Sequence, residues 1–124
     1  MTDPVTALLE DICRGTGLRP EIYADDVVLD ATVPGWRFAQ HGAEAVRAQL
    51  GEWFADPGAF EELSRVPLPD GELVTFTLRW TEQGEPWKAH QAHLIRVVDG
   101  RICRQQAWCG GRWSADRVAA MAAG

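Results

Sequence analysis

Apolar and polar residues alternate most cleanly in the segment ELVTFTLRW, and this alternation predicts a half-buried β-strand. The apolar face of that strand carries Val74, Phe76, Leu78 and Trp80. A two-residue turn at Gln83-Gly84 would lead into a second strand. The pairs across this hairpin would be Trp80 with Trp87, Leu78 with Ala89, Phe76 with Gln91, and Val74 with His93.

The second strand continues into a further hairpin, which spans the segment WKAHQAHLIRVVDGRICRQQAWC. Asp-Gly between apolar runs is a strong hairpin signal, and a three-residue loop Val98-Asp99-Gly100 with Gly100 left-handed is expected. The predicted pairs are Val97 with Arg101, Ile95 with Cys103, His93 with Gln105, Gln91 with Ala107, and Ala89 with Cys109. These residues share one face, and a mostly apolar face with a few polar groups is typical of a small-molecule site.

The remaining pattern predicts helices and further strands. Asp3 caps a helix that begins at Pro4 and ends near Gly15. Further predicted helices are a short one from Pro20 over Glu21 to Ala24, one from Ala43 to Phe54, and a tail helix from Ser114 to about Ala122. Strands are expected at Val27 to Val33 and Phe60 to Val66, with a loop that holds Trp36 and Phe38. The order predicts one α+β domain, residues 1–124, with a curved antiparallel sheet and helices on its concave face.

Composition narrows the function classes. The formal net charge of −6 argues against a nucleic-acid surface, which needs clustered Lys and Arg. Apolar runs stay short of the roughly 20 residues that a membrane span requires. The start, MTDPVTALLEDIC, lacks the pattern of a signal peptide, so a cytoplasmic location is expected.

The cysteines and histidines do not predict a metal site. Cys13, Cys103 and Cys109 are three in number without CxxC spacing, and reduced thiols are expected. His90 and His93 stand three apart on a strand and therefore point to opposite faces. We expect no metal and no cofactor.

Three segments carry a family resemblance: YADDVVLDATVPGW, HGAEAVRAQL and VVDGRICRQQAWC. On these the chain resembles the NTF2-like superfamily, and within it the SnoaL-like group. The resemblance implies a cone-shaped α+β fold with a pocket open at one end. Members include steroid isomerases, polyketide cyclases, dehydratases, epoxide hydrolases and non-catalytic binders, so the fold leaves function open.

The resemblance also implies roles for single positions. Ala31, beside Asp30, aligns with the aspartate base of ketosteroid isomerases, and His93 with their protonated aspartic acid. Tyr23 is the only tyrosine, so the tyrosine in the first helix of those enzymes has no counterpart. SnoaL-type cyclases pair a pocket histidine with an acid on the last strand, where this chain has Gln105. The Asp-Arg-Asp triad of the epoxide hydrolases cannot be assembled on the inward face.

The candidate catalytic residues are therefore His93 as acid or base, Gln105 as its partner, and Asp30 if a bulge turned it inward. The candidate ligand-binding residues are Gln91, Trp36, Phe76, Trp80 and Ala107. The alternatives are a histidine satisfied in a structural pocket, a solvated carboxylate at Asp30, and plain core packing for Trp80.

Two functions stay open from the sequence. The first is a cofactor-independent isomerase, cyclase or dehydratase acting on an apolar or polycyclic carbonyl metabolite. The second is a non-catalytic ligand-binding protein, favoured by the missing acid at Gln105. A homodimer is also expected, through the outer sheet face that carries Leu94 and Trp108.

Overall fold

The computed structural model describes residues 3–124. Its α-helices are α1 (Pro4–Arg14), α2 (Ala43–Trp53) and α3 (Ala115–Ala123). Its strands are β1 (Tyr23–Val33), β2 (Trp36–His41), β3 (Gly58–Leu68), β4 (Gly71–Glu82), β5 (Glu85–Val98), β6 (Arg101–Cys109) and β7 (Trp113–Ser114). A single 3₁₀ turn, Pro20–Ile22, precedes β1.

Within the described part of the chain, the strands form one curved, unclosed sheet in the order β2-β1-β6-β5-β4-β3, with β7 added beside β5. The α+β class is confirmed, but the sheet is mixed rather than wholly antiparallel. β1 runs parallel to β6, because the chain crosses over from the first hairpin through α2 before building the second half of the sheet.

Helices α1 and α2 cover one face of this sheet and complete the core. Asp3 caps α1 by accepting a hydrogen bond from the Thr6 amide at 2.9 Å, and Gly15 ends the helix in the left-handed region at φ 71°. Leu8 of α1 and Leu50 of α2 are fully buried in the same hydrophobic core. In contrast, α3 contributes no buried residue, so it stands outside that core.

The hairpin of β4 and β5 has the register that the alternation predicted. Trp80 pairs with Trp87, and Val74 pairs with His93. Gln83 and Gly84 form the turn, both with positive φ. At the other end of the hairpin, a Cβ on Gly71 would overlap the Ile95 carbonyl oxygen, so this position needs glycine.

The hairpin of β5 and β6 differs from its predicted register. The turn has two residues rather than three, because Asp99 and Gly100 both lie in the left-handed region, at φ 53° and 76°. A β-bulge follows at Cys103, which has no partner residue on β5. The pairs are shifted as a result: Gln91 with Cys109, His93 with Ala107, and Ile95 with Gln105.

The bulge restores the faces that the shorter turn would have reversed. Without the extra residue, Arg104 rather than Gln105 would turn toward the core. With it, Gln105 is fully buried, and Ile102 takes the inward place that the sequence assigned to Cys103. The expected face is therefore correct for His93, Gln91 and Gln105 although the pairing was wrong.

Two further expectations need correction, and one short strand was not expected. The expected loop around Trp36 and Phe38 is strand β2, which pairs with β1 around the Pro34-Gly35 turn. The expected short helix to Ala24 ends at Ile22, and β1 already begins at Tyr23. β7 gave no signal, since two residues are too few for a periodic pattern.

Candidate functional site

A chain of polar side chains crosses the interior between β1, β5 and β6. Its members are Tyr23, Gln105, His93, Gln91 and Cys109. Tyr23 and Gln105 are fully buried, His93 is 1% exposed, and Gln91 is 5% exposed. Burying a polar group without a hydrogen-bond partner costs stability. The hydrogen bonds among these five side chains therefore decide whether the fold tolerates their burial.

Each group in the chain donates to the next. The Tyr23 hydroxyl donates to Gln105 Oε1 at 2.9 Å, and Gln105 Nε2 donates to His93 Nδ1 at 2.9 Å. His93 Nε2 then donates to Gln91 Oε1 at 2.8 Å, and Gln91 Nε2 donates to Cys109 Sγ at 3.4 Å. With the Tyr23 hydroxyl donating to Gln105 Oε1, the Gln105 amide nitrogen faces the ring, and the imidazole proton is assigned to Nε2.

His93 is thereby held as a neutral ring with both nitrogens in use. Phe76 stacks on the imidazole, with ring centroids 5.5 Å apart and an interplanar angle of 16°. Burial lowers the pKa of His93 from 6.5 to about 4, because the charged form loses its hydration. Burial also raises the pKa of the Tyr23 hydroxyl, so both groups are neutral at pH 7.

A cavity of about 550 Å³ lies next to this polar chain, between the C-terminal end of α2 and the sheet. Gln91 and Cys109 belong to its lining, whereas His93 lies behind Gln91 and does not. The apolar part of the lining consists of Val33, Pro34, Trp53, Phe54, Ala55, Leu78, Trp80 and Ala89. The cavity thus offers an apolar wall with a few polar groups, as small-molecule sites do.

Charged residues stand at the same cavity near the β4–β5 turn. The Glu82 carboxylate accepts hydrogen bonds from the Trp80 indole nitrogen, at 3.0 Å, and from Arg112. The indole hydrogen bond and then Arg112 hold the pKa of Glu82 below its usual value. The Arg112 guanidinium also lies over the ring of Trp80, 5.8 Å from its centroid, which is the tryptophan of this cavity wall.

The sequence-predicted site residues fall into three groups. Gln91 and Trp80 line the cavity, while Gln105, Phe76 and Ala107 surround His93 in the buried region behind it. Trp36 is 70% exposed at the start of β2 and lines no part of the cavity. The structure therefore brings most of the predicted residues together but leaves Trp36 apart.

Asp30 is also remote from the polar chain. Its neighbours Leu29 and Ala31 are fully buried, so Asp30 faces the opposite side of β1. Arg37 on β2 donates two hydrogen bonds to its carboxylate, at 3.0 and 2.7 Å. That hydrogen bonding holds the pKa of Asp30 below its usual value, and no bulge turns the side chain inward.

Several residues of the site gave no functional signal in the sequence. Tyr23 enters the polar chain from the first residue of β1, although the sequence placed it in a helix. Arg112 and Glu82 meet only because the β6–β7 connection passes the β4–β5 turn. Trp53 and Phe54 lie at the end of the helix that the sequence predicted from Ala43 to Phe54, but their place in a cavity wall depends on where α2 packs.

Among residues 3–124 no group of three or more His, Cys, Asp or Glu side chains is placed to hold a metal ion. No helix in that range is long and apolar enough to cross a membrane.

Solved structures with similar folds include an NTF2-like protein from Burkholderia xenovorans, which matches with a TM-score of 0.60 and 18% identity, over 90% of this chain and 84% of that one. A proposed isomerase from Rhodopseudomonas palustris matches with a TM-score of 0.62 and 16% identity, over 100% of both chains. A proposed polyketide cyclase from Pseudomonas putida gives 0.63 and 14% identity, over 93% of this chain and 92% of that one. A proposed polyketide cyclase from Xanthomonas campestris gives 0.64 and 18% identity, over 85% and 86%. These identities establish a shared fold only.

The family follows from the sequence itself. The family model described as the SnoaL-like domain matches residues 18–105, more than half of the chain, and the protein belongs to this family. No curated protein sequence matches the chain at a significant level.

The first prediction concerns stability against pH. Because the folded-state pKa of His93, about 4, lies below the ordinary 6.5, the unfolded chain binds this proton first as the pH falls. His93 therefore makes its full contribution to the free energy of unfolding above pH 6.5. Between pH 6.5 and pH 4 this contribution is lost, and the free energy of unfolding falls by about 3 kcal/mol.

Urea denaturation of the wild type and of His93→Gln measures this contribution. Glutamine can accept from one neighbouring amide and donate to the other without titrating, so its stability should fall less steeply between pH 6.5 and 4. Equal slopes in the two proteins would contradict a buried neutral histidine.

Proposed function

We propose that this protein binds a small, largely apolar molecule in the cavity lined by Gln91, Cys109 and Trp80. The observation that carries the proposal is a cavity of about 550 Å³ with an apolar wall, which meets a fully hydrogen-bonded chain of polar side chains at Gln91. A core that served packing alone would gain nothing from burying Tyr23, His93 and two glutamine amides there.

The geometry favours binding over acid–base chemistry. Both His93 nitrogens have protein partners, at 2.8 and 2.9 Å, and the ring is neutral at pH 7. In this arrangement the imidazole has no nitrogen left for a substrate. Its effect on a ligand is indirect: by occupying Gln91 Oε1, it turns the Gln91 amide nitrogen toward Cys109 and the cavity.

The second prediction tests binding with androstenedione, a neutral polycyclic ketone, as the probe. Ala89→Phe places a ring in the cavity from its lining and should weaken probe binding at least tenfold, because the volume is lost. The measurement is a fluorescence titration supported by the ligand-induced rise in Tm.

The matched control is Ala92→Phe, the same change on the opposite face of the same strand, which should leave binding as in the wild type. Circular dichroism verifies that both variants fold. As an independent readout, bound probe should slow alkylation of Cys109, followed by peptide mass spectrometry. Probe binding that survives Ala89→Phe without protection of Cys109 would contradict the proposed cavity.

A second candidate function is isomerisation, cyclisation or dehydration with His93 as acid or base. One observation favours it: His93 Nε2 lies 2.8 Å from Gln91 Oε1, and the Gln91 side chain lines the cavity. If Gln91 rotated away, the imidazole would face a ligand there. The descriptions of similar structures as an isomerase and as polyketide cyclases agree with such chemistry.

The third prediction separates the two candidates. If the protein only binds its ligand, the wild type does not turn over polycyclic ketones, and His93→Ala therefore changes no activity. Under the catalytic alternative, wild-type turnover exists and His93→Ala abolishes it while probe affinity stays within a few-fold. Turnover is followed by mass spectrometry of substrate and product, with probe titrations run on the same samples.

We also propose a homodimer through the outer face of the sheet. Trp108 and Leu94 are 43% and 36% exposed on neighbouring strands, and Trp108 stands opposite Ala92. Charges of both signs border them, including the Asp30–Arg37 pair. Such an apolar centre with a mixed rim is self-complementary under a twofold axis.

The fourth prediction is that Trp108→Glu converts the dimer to a monomer, since it places a carboxylate at the centre of the contact. Met121→Glu is the control, because Met121 is 47% exposed on α3 and belongs to neither of the strands that carry Trp108 and Leu94. Size-exclusion chromatography with light scattering at micromolar concentration measures both. A wild-type protein that is wholly monomeric under those conditions would refute the dimer.

A further inference from the structure

A second recess lies outside the cavity, between α3 and the ends of β3, β4 and β5. This groove has a volume of about 620 Å³. Its sheet side carries Trp80 and Trp87, and its helix side carries Ala115, Val118, Ala119 and Ala122. The groove shares Trp80 alone with the lining of the cavity, and neither Gln91 nor the rest of the polar chain borders it.

Trp80 and Trp87 of the groove are held in place by Arg112 and Glu82, which line the cavity. The Arg112 guanidinium lies 4.8 Å from the Trp87 ring centroid and 5.8 Å from that of Trp80. Arg112 itself is paired with Glu82, and the Trp80 indole nitrogen donates to the same carboxylate. Two aromatic rings with fixed positions are a surface on which a flat apolar molecule can stack.

The charged residues of the groove have one sign. Arg79 and Lys88 line it, and no carboxylate does. Glu61 partly balances them, with its carboxylate 2.9 Å from Lys88 Nζ and 3.7 Å from Arg79 Nε. An ammonium has three donors and a guanidinium five, so Glu61 leaves donors of both groups available to a second anion.

We propose that the groove binds an amphipathic organic anion, with its flat apolar body between Trp87 and Val118 and its carboxylate or sulfonate at Lys88 and Arg79. The lining charges set this preference. The cavity beside Gln91 carries Glu52, Asp56 and Glu82 against Arg112, whereas the groove carries two cations. An anion therefore meets a favourable field in the groove and an unfavourable one in the cavity.

The test compares two fluorescent probes of nearly the same shape. Anilinonaphthalene sulfonate is anionic, and phenylnaphthylamine is its uncharged counterpart. Lys88→Gln should weaken binding of the sulfonate about five-fold at low salt, as expected for one partly exposed charge contact, and leave the neutral probe unchanged. Arg104→Gln, the same kind of change on the outer sheet face, is the charge control and should alter neither probe.

The position of the probe is tested by filling each recess. Val118→Trp should weaken both probes in the groove; since α3 contributes no buried residue, the core should stay folded, which circular dichroism verifies. Ala119→Phe is the second groove-filling variant. Ala89→Phe fills the cavity instead and should leave sulfonate binding intact.

Two results would overturn the proposal. Sulfonate binding that survives both groove-filling variants, or that is lost only in Ala89→Phe, places the probe elsewhere. Equal effects of Lys88→Gln on the charged and neutral probes remove the anion preference. Either result leaves the proposed function of the cavity standing, because that is tested by a neutral ketone and by Cys109 protection.

Discussion

The arrangement of the interior depends on one constraint, the hydrogen bonding of a buried imidazole. An uncharged histidine in an apolar core needs one acceptor and one donor, and two glutamine amides supply them at 2.8 and 2.9 Å. Each amide then needs a partner at its other end, which Tyr23 and Cys109 provide. The hydrogen-bonding requirement of one imidazole thus involves side chains from three strands, β1, β5 and β6. Among the described residues, no buried side-chain nitrogen or oxygen is left without a partner.

This constraint also explains where the cavity can be. Toward β1 the chain ends at a fully buried tyrosine, so that side is closed. Toward β6 it ends at Cys109, whose sulfur also accepts from the Gly111 amide at 3.4 Å. Beyond Cys109 the polypeptide leaves the sheet through Gly110 and Gly111. The cavity lies here, between α2 and the β4–β5 turn. The polar chain is accordingly solvent-excluded at one end and adjacent to open space at the other.

Much of the fold was predictable because it rests on local rules. The alternation in β4 and the Gln83-Gly84 turn fixed which side of β5 faces the core, and this placed Gln91 and His93 correctly. The partner residues across the next hairpin were not predictable in the same way. A two-residue turn and a bulge at Cys103 shift the pairing by two positions, and the two departures cancel in their effect on the faces.

Parts of the site were hidden for a different reason. β2 has mostly exposed side chains, so it lacks the apolar alternation that identifies a strand. Tyr23 and Gln105 are 82 positions apart in the chain, and their contact depends on the parallel pairing of β1 with β6. Asp30 appeared beside the aligned base position, but strand geometry directs it away, and Arg37 holds it there. Long-range pairing of this kind leaves no trace in a local pattern.

The resemblance to ketosteroid isomerases acquires a physical meaning at His93. Those enzymes are expected to hold a protonated aspartic acid at the matching place, and this protein holds a neutral histidine. Burial disfavours charge in both cases, which raises the pKa of an acid and lowers that of an imidazole. Either side chain is then a neutral hydrogen-bond donor at pH 7. What differs is the recipient: here the proton points to Gln91 Oε1, and the Gln91 amide, rather than the ring, faces the cavity. The His93 ring therefore reaches the cavity only through the Gln91 side chain, and the binding proposal rests on this geometry.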